Sequence, residues 1–351
     1  MFPLAPACAE PSATDATRRH SDEPRLNVRS ILVWVAVAAG CFHIAYEFLL
    51  GAPFIGGFLY AMLRLATMAR RPMLIGWCVG LLIYGPQLGF FWSIFGPAAI
   101  ALWLVLATWL GVYLALQRFA VLTFKPPWTF LCAPLLWTGV EYFRSELYYL
   151  RFSWLNAGYV FAPFPGWSAM HLLGMYGIGF ILMSIAAAIE LWRRRGFHPW
   201  PRLDSVAATS LAILFITAAV RPETPAQRRP PLKIAGVQLE FQTDDEIRRA
   251  LDALHHEYGN ADLLVLSEYT FDGPVPRWIN EWCASNRRYL VLGAKRYLDA
   301  GETRFRNTAF VIGPDGEIVF EQGKMVPIQF FADGLPATGQ NVWDSPWGRL
   351  G

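Results

Sequence analysis

"ADLLVLSEYTF", residues 261–271, ends in an unusual way for a strand meant to be buried, because the apolar run Leu263 to Leu266 leads straight into Ser267 and the carboxylate of Glu268. A short apolar run bounded by polar residues reads as a core strand, and strand ends in open α/β sheets are where sites gather. Upstream, "LKIAGVQLE" (232–240) reads as a second strand and "DDEIRRALDALHHEYGN" (244–260) as an amphipathic helix. Downstream lie a helix in "PVPRWINEWCASNRR" (274–288) and strands in "YLVLGAKRYL" (289–298), "RNTAFVIG" (306–313) and "EIVFEQ" (317–322), the last two joined by the tight turn "GPDG" (313–316). The order β-α-β-α-β predicts an α/β layer domain over 232–351.

The rest of the chain has a different character. The 351 residues are 54% hydrophobic and only 16% charged, with a mean hydropathy of +0.31, which excludes an ordinary soluble protein and predicts a membrane one. Residues 1–220 carry fifteen Lys or Arg against nine acids, whereas 221–351 carry fifteen against eighteen. Crossing ~30 Å of hydrocarbon takes about twenty apolar residues, and seven segments approach that length: 31–50, 53–69, 73–95, 97–120, 128–143, 167–191 and 204–220. The expected organisation is a disordered cytoplasmic tail (1–30), an α-helical membrane domain of about seven spans (31–220), the Pro- and Arg-rich linker "RPETPAQRRPP" (221–231) and the α/β domain.

The distribution of basic residues tests that count. Arg18, Arg19, Arg25 and Arg29, then Arg70 and Arg71, then Arg118 and Lys125, then Arg193, Arg194, Arg195 and Arg202 fall in alternate loops, on one side, and the opposite loops hold only Arg144 and Arg151. The positive-inside rule then places the N-terminus in the cytoplasm and delivers everything after the linker to the outer face. Arg64, inside a span, is expected to snorkel to the cytoplasmic face. Glu141 and Arg144, three apart on one helical face, are expected to pair near the membrane surface, with lipid-headgroup contact as the sharper alternative. The aromatics of 148–167 fit an interfacial belt or a lipid entrance. His255 and His256 read as surface residues. Cys8, Cys41, Cys78, Cys132 and Cys283 show no CxxC pair and no metal-ligand spacing.

Lys324, after the strand "EIVFEQGK", mirrors Glu268. A carboxylate and an ammonium at neighbouring strand ends can deprotonate a nucleophile and stabilise an oxyanion, although the bland alternatives are a helix cap and a solvated lysine. With "LSEYTF" and "GKMVP" in place, 232–351 resembles the first half of a carbon-nitrogen hydrolase (nitrilase-like, α-β-β-α sandwich) domain. In that family the Glu is the general base, the Lys supports the tetrahedral intermediate and a Cys forms an acyl-enzyme, which implies the first two roles for Glu268 and Lys324. Upstream, Trp137, Glu141 and Arg144, then Phe152, Trp154, Gly158 and Tyr159, then Gly174, Tyr176 and Gly177 are similar to the central motifs of bacterial apolipoprotein N-acyltransferases.

The resemblance covers about 30–351. It implies a multi-pass protein of the bacterial cytoplasmic (inner) membrane that moves an acyl chain from a phospholipid to the diacylglyceryl-cysteine of an apolipoprotein. Its catalytic domain faces outward, no metal, nucleotide or nucleic acid takes part, and Glu141, Arg144, Trp154 and Tyr159 become candidate substrate-binding residues. There are departures. Ser153 stands where the family often has Pro, and "KMVPIQFFADG" spaces the residues after Lys324 so that the usual Glu has no clear match, Asp333 being the only stand-in. "DSPWGRLG" resembles the approach to the nucleophile strand, and the expectation is that the catalytic Cys lies beyond Gly351, leaving an incomplete domain that is inactive alone. The alternatives are a membrane-anchored amidase or nitrilase-type hydrolase and a non-catalytic remnant.

Overall fold

The structure, a computed structural model, describes residues 28–125, 128–162, 168–194, 209, 212–213, 232–239, 242–328 and 332–351. The first 27 residues, nearly all of the apolar segment 204–220 and the linker 221–231 fall outside that set. The chain divides into two units, Met1–Glu223 and Thr224–Gly351.

The first unit is helical: α1 Val28–Glu47, α2 Phe54–Met68, α3 Pro72–Gln87, α4 Phe90–Phe95, α5 Ala98–Thr123, α6 Trp128–Tyr142 and α7 Ser168–Arg194. Among the described residues three helices are long and apolar enough to cross a membrane, Val28–Glu47, Ala98–Thr123 and Met170–Arg194. The expected segment 73–95 is divided into α3 and α4. Pro86 lies in the last turn of α3, where its ring removes a backbone donor, and Gly89 starts the next helix. Small residues let α3 and α5 meet closely: a Cβ on Gly76 would collide with the Gly111 backbone, and one on Gly80 with Ala107. Two Gly/Ala pairs four apart on facing helices form the kind of seam that packs spans where no hydrophobic drive exists between them. The interior is filled by edge-to-face aromatics, with Trp137 at 5.8 Å from Phe58 and 5.0 Å from Tyr113.

Two irregular turns shape one end of this bundle. The chain from Phe143 to Leu147 widens into a π-helical turn, and α7 is kinked at Gly174, whose φ of 61° suits a residue without Cβ. Gly158, in the short 3-10 turn Ala157–Phe161, packs directly on the Met175 backbone just past that kink.

The second unit matches the expected element order with shorter strands: β1 Ile234–Gly236, α8 Asp244–Glu257, β2 Leu263–Val265, α9 Arg277–Asn286, β3 Tyr289–Tyr297, β4 Phe305–Ile312 and β5 Ile318–Gly323, then the hairpin β6 Trp343–Ser345 and β7 Gly348–Leu350. The sheet runs β1-β2-β3-β4-β5, with β1, β2 and β3 parallel and β4 and β5 antiparallel additions. Helix α8 starts at a reciprocal capping box between Thr243 and Glu246, worth about 1 kcal/mol. Its apolar face buries Ile247, Leu251 and Leu254 against Leu264, Leu290 and Leu292 of the sheet.

Candidate active site

The serine and carboxylate that end the run of β2 belong to a pinned turn. After Val265 the sheet continues through one more bond, Leu266 N–H to the Val291 carbonyl at 2.9 Å, and the chain then folds over β3, with Gly293 donating to the Ser267 carbonyl and Phe271 to the Gly293 carbonyl, both at 3.1 Å. Ser267 Oγ accepts from Leu239 N–H at 2.7 Å and donates to the Leu239 carbonyl at 2.9 Å, so the hydroxyl takes over the place of a strand partner. Thr270 Oγ1 closes the turn on the Ser267 carbonyl. Gly293 is required here because a Cβ would collide with the Glu268 carbonyl. Glu268 therefore leaves the sheet edge at a fixed place.

Lys324 follows β5 directly, and its backbone N–H donates to the Asn307 carbonyl on β4 at 2.8 Å. Its Nζ lies 2.7 Å from Glu268 Oε1 and 2.9 Å from Asp333 Oδ2. The two carboxylates differ: the Glu268 side chain is 56% exposed and the Asp333 side chain 0%. Asp333 also accepts from Asn307 Nδ2 at 2.9 Å, from the Ile328 backbone N–H at 2.5 Å and from the Tyr269 hydroxyl. Asn307 donates to Glu268 Oε1 as well, at 2.9 Å, and so bridges both acids. Burial alone would raise the Asp333 carboxyl, but its bonds to Tyr269, the Ile328 amide, Lys324 and Asn307 outweigh that and hold it below the usual range. Burial works to lower the Lys324 ammonium, while Glu268 and Asp333 outweigh it and hold it above the usual lysine value. The ammonium is thus fully charged, anchored below by Asp333 and open above toward Glu268.

These groups line a cleft of about 480 Å³ whose wall includes Glu268, Asn307, Gln322, Lys324 and Met325. An exposed carboxylate beside a fixed cation can take a proton from an incoming nucleophile while the cation stabilises a developing oxyanion. Among the described residues no cysteine lines this cleft. Cys283, on the inner face of α9, is buried in the core, where burial pushes its thiol up to about 12, so it is a packing residue. Glu268 and Lys324 stood out in the sequence; Asn307, Tyr269 and the place of Asp333 did not. The only trace was Asn307 itself, a buried amide beside buried Thr308 in β4.

The four candidates of the helical unit form a second polar cluster. The expected pairing of Glu141 with Arg144 does not occur, because the π-helical turn rotates Arg144 off the α-helical repeat. Arg144 instead donates from Nη1 to the Tyr84 hydroxyl at 3.1 Å, and from Nη2 to the Trp154 carbonyl at 3.1 Å and to Asn156 Oδ1. Glu141 Oε1 accepts the Ala157 N–H at 2.8 Å. Both side chains are buried. Trp154 stacks on Phe91 at 5.7 Å and stays half exposed, held between Arg151 and Leu155, two non-glycine residues with left-handed φ of 42° and 58°. Tyr159 is half-buried in the adjoining 3-10 turn, its N–H on the Asn156 carbonyl. Arg64 does not snorkel either: it is ion-paired to buried Glu190.

Comparison with known proteins bears on the helical unit most directly. The family model described as the apolipoprotein N-acyltransferase N-terminal domain matches residues 30–188. An apolipoprotein N-acyltransferase from Verminephrobacter eiseniae (strain EF01-2) is 30% identical over 162 residues, which cover 43% of this chain and 30% of that relative. The match thus spans about a third of the relative's length. Two solved structures are similar to part of this chain: a carbon-nitrogen hydrolase from Helicobacter pylori G27, 15% identical with a TM-score of 0.24, covering 30% of this chain and 44% of that one, and an N-terminal amidase with an Asn-Glu-Ala peptide, 16% identical with a TM-score of 0.24, covering 29% and 30%.

Proposed function

We propose that this chain, whose residues 30–188 match the family model of the apolipoprotein N-acyltransferase N-terminal domain and resemble an apolipoprotein N-acyltransferase, carries the membrane part and the catalytic base of an acyltransferase acting on lipoproteins. The observation that carries the proposal is the ammonium of Lys324, held between exposed Glu268 and buried Asp333 at adjoining strand ends.

In this reading Glu268 takes the proton of a cysteine thiol and the thiolate attacks the ester carbonyl of a phospholipid. Lys324 stabilises the oxyanion, the lysophospholipid alkoxide leaves with the proton returned by Glu268, and a thioester remains. The α-amine of a diacylglyceryl-cysteine then attacks the thioester, Glu268 accepts its proton, and the thiolate departs as the amide forms. Asp333 and Asn307 hold Lys324 and Glu268 in place. The chemistry needs acids, a base and a thiol, so no metal or nucleotide enters it. A bilayer at an inner membrane, with the cleft on its outer face, fits two lipid-anchored substrates.

Because the cleft holds no thiol among the described residues, residues 1–351 alone are proposed to be inactive. The test is acylation of a diacylglyceryl-cysteine peptide in phospholipid vesicles, followed by mass spectrometry. Residues 1–351 should give no acylated peptide, whereas a chimaera appending the thiol-bearing segment of a full-length apolipoprotein N-acyltransferase should. In that chimaera Glu268→Gln should lower the rate about 10²–10⁴-fold. Release of free fatty acid without acylated peptide marks a hydrolase instead, and acylation by residues 1–351 alone, or a fully active Glu268→Gln chimaera, overturns the assignment.

A further inference from the structure

The best-supported unassigned site lies at the end of the bundle where α2, α5 and α7 finish and α6 begins. Three guanidinium groups converge there on one carboxylate. Glu190 Oε1 accepts from Arg64 Nη1 at 3.0 Å, Arg193 Nη2 at 2.8 Å and Arg194 Nε at 2.8 Å, while Oε2 accepts from Arg193 Nε at 2.9 Å and the Tyr60 hydroxyl at 3.1 Å. The acceptor is saturated and its side chain is 0% exposed, yet the Arg193 and Arg194 side chains remain 42% and 36% exposed. Three positive charges against one negative leave an excess of two. Arg118, which donates to the Thr67 carbonyl at 2.7 Å, adds another cation at the same end. Arg64 Nε is buried without a partner.

An ion-pair knot built only for stability needs one or two of these arginines. Desolvating further guanidiniums beside a saturated carboxylate gains little, since a buried charge must be matched to be retained. Arg194 spends only its Nε on Glu190 and lies over the Phe130 ring at 4.9 Å, an arrangement that fixes the guanidinium plane. Planar guanidiniums held in position suit bidentate contacts to phosphate oxygens. The cluster also sits where the apolar length of α7, a helix long and apolar enough to cross a membrane, ends, and in a spanning helix that end lies at the depth of lipid headgroups.

We propose that Arg193 and Arg194, whose positive charge Glu190 only partly offsets, form a binding site for the phosphodiester of an anionic glycerophospholipid. The occupant is a lipid of the surrounding bilayer rather than a soluble anion, because charge complementarity and depth both select a headgroup phosphate. This site shares no residue with the Glu268 cleft and does not depend on the acyl-transfer reading.

The test is native mass spectrometry of the full chain released from detergent with added phosphatidylglycerol or phosphatidylcholine. The protein should retain phosphatidylglycerol in preference, and Arg193→Gln with Arg194→Gln should cut that retention about tenfold or more while phosphatidylcholine retention stays unchanged. Since the double variant can also loosen the bundle, Glu190→Gln provides the second arm. Freeing the guanidiniums should raise phosphatidylglycerol retention. Equal loss of both lipids in the double variant, or lower retention in Glu190→Gln, would show a purely structural knot and overturn the proposal. Displacement of phosphatidylglycerol by millimolar inorganic phosphate would do the same by marking a soluble-anion site.

Discussion

Each unit of the molecule gathers charged and polar side chains in one place, and the two clusters differ in what they leave free. In the helical unit, Arg144 and Glu141 are both buried, and their partners are the loop 154–157 and the Tyr84 hydroxyl. In the α/β unit, Asp333 is as deeply buried, but the network it starts ends at a half-exposed carboxylate in a cleft. A charge cluster closed on all sides stitches chain segments together. One that is anchored below and open above presents chemistry. Arg144 and Glu268 stand out equally in the sequence, but Arg144 spends its bonds on its own chain while Glu268 faces a cleft, which is why the proposed reactive role falls to Glu268.

The largest expected effect on stability comes from opening the closed cluster. Arg144→Leu strands the Asn156 side chain and the Trp154 carbonyl, and should destabilise the helical unit by about 3–5 kcal/mol, read as a fall in thermal midpoint in detergent. A cost below about 1 kcal/mol would mean that the cluster is not what holds the 154–157 loop. Gly293→Ala is next. The added methyl must push the Glu268 turn off β3, at about 1–3 kcal/mol, and thermal unfolding of the purified protein measures it; an unchanged midpoint would show that the turn yields freely and that Glu268 is not fixed by that contact.

The smallest effect is on pH dependence. Asp333 has a depressed value, so its contribution to stability is complete above the ordinary carboxylate range, near pH 4, and is lost as pH falls through the depressed value. Lys324 has a raised value, so its contribution is complete below about pH 10 and is lost as pH climbs through the raised value. The melting temperature of the α/β unit should stay level between those limits, and Asp333→Asn should remove part of the acid-side fall. An acid limb of unchanged steepness in that variant would locate the titration elsewhere.

The element order of the α/β unit was legible because its signals are local: an apolar run such as Leu263–Leu266, the amphipathic repeat of α8 and the turn at 313–316 each declare themselves within a few residues. Glu268 and Lys324 were legible for the same reason, as charges at the ends of strands. Asp333 was legible only as a stand-in for a missing Glu, and its place was not. It reaches Lys324 from beneath because the 333–337 segment returns along the sheet, with Leu335 N–H on the Phe305 carbonyl and Ala337 N–H on the Lys324 carbonyl, and such a return has no periodicity to read. The Glu141–Arg144 spacing misled because it presumed an α-helical repeat that the π-helical turn at 143–147 interrupts. Arg64 misled because its partner, Glu190, lies 126 residues away.

The glycine seam between α3 and α5 has a mechanical consequence. With Gly76 against Gly111 and Gly80 against Ala107, the two backbones meet with nothing larger than a methyl group between them to act as a bearing. Sliding one past the other would first require pulling them apart. The pair therefore behaves as a single strut, and any breathing of the bundle to let a lipid tail pass must occur along its other, side-chain-lined seams.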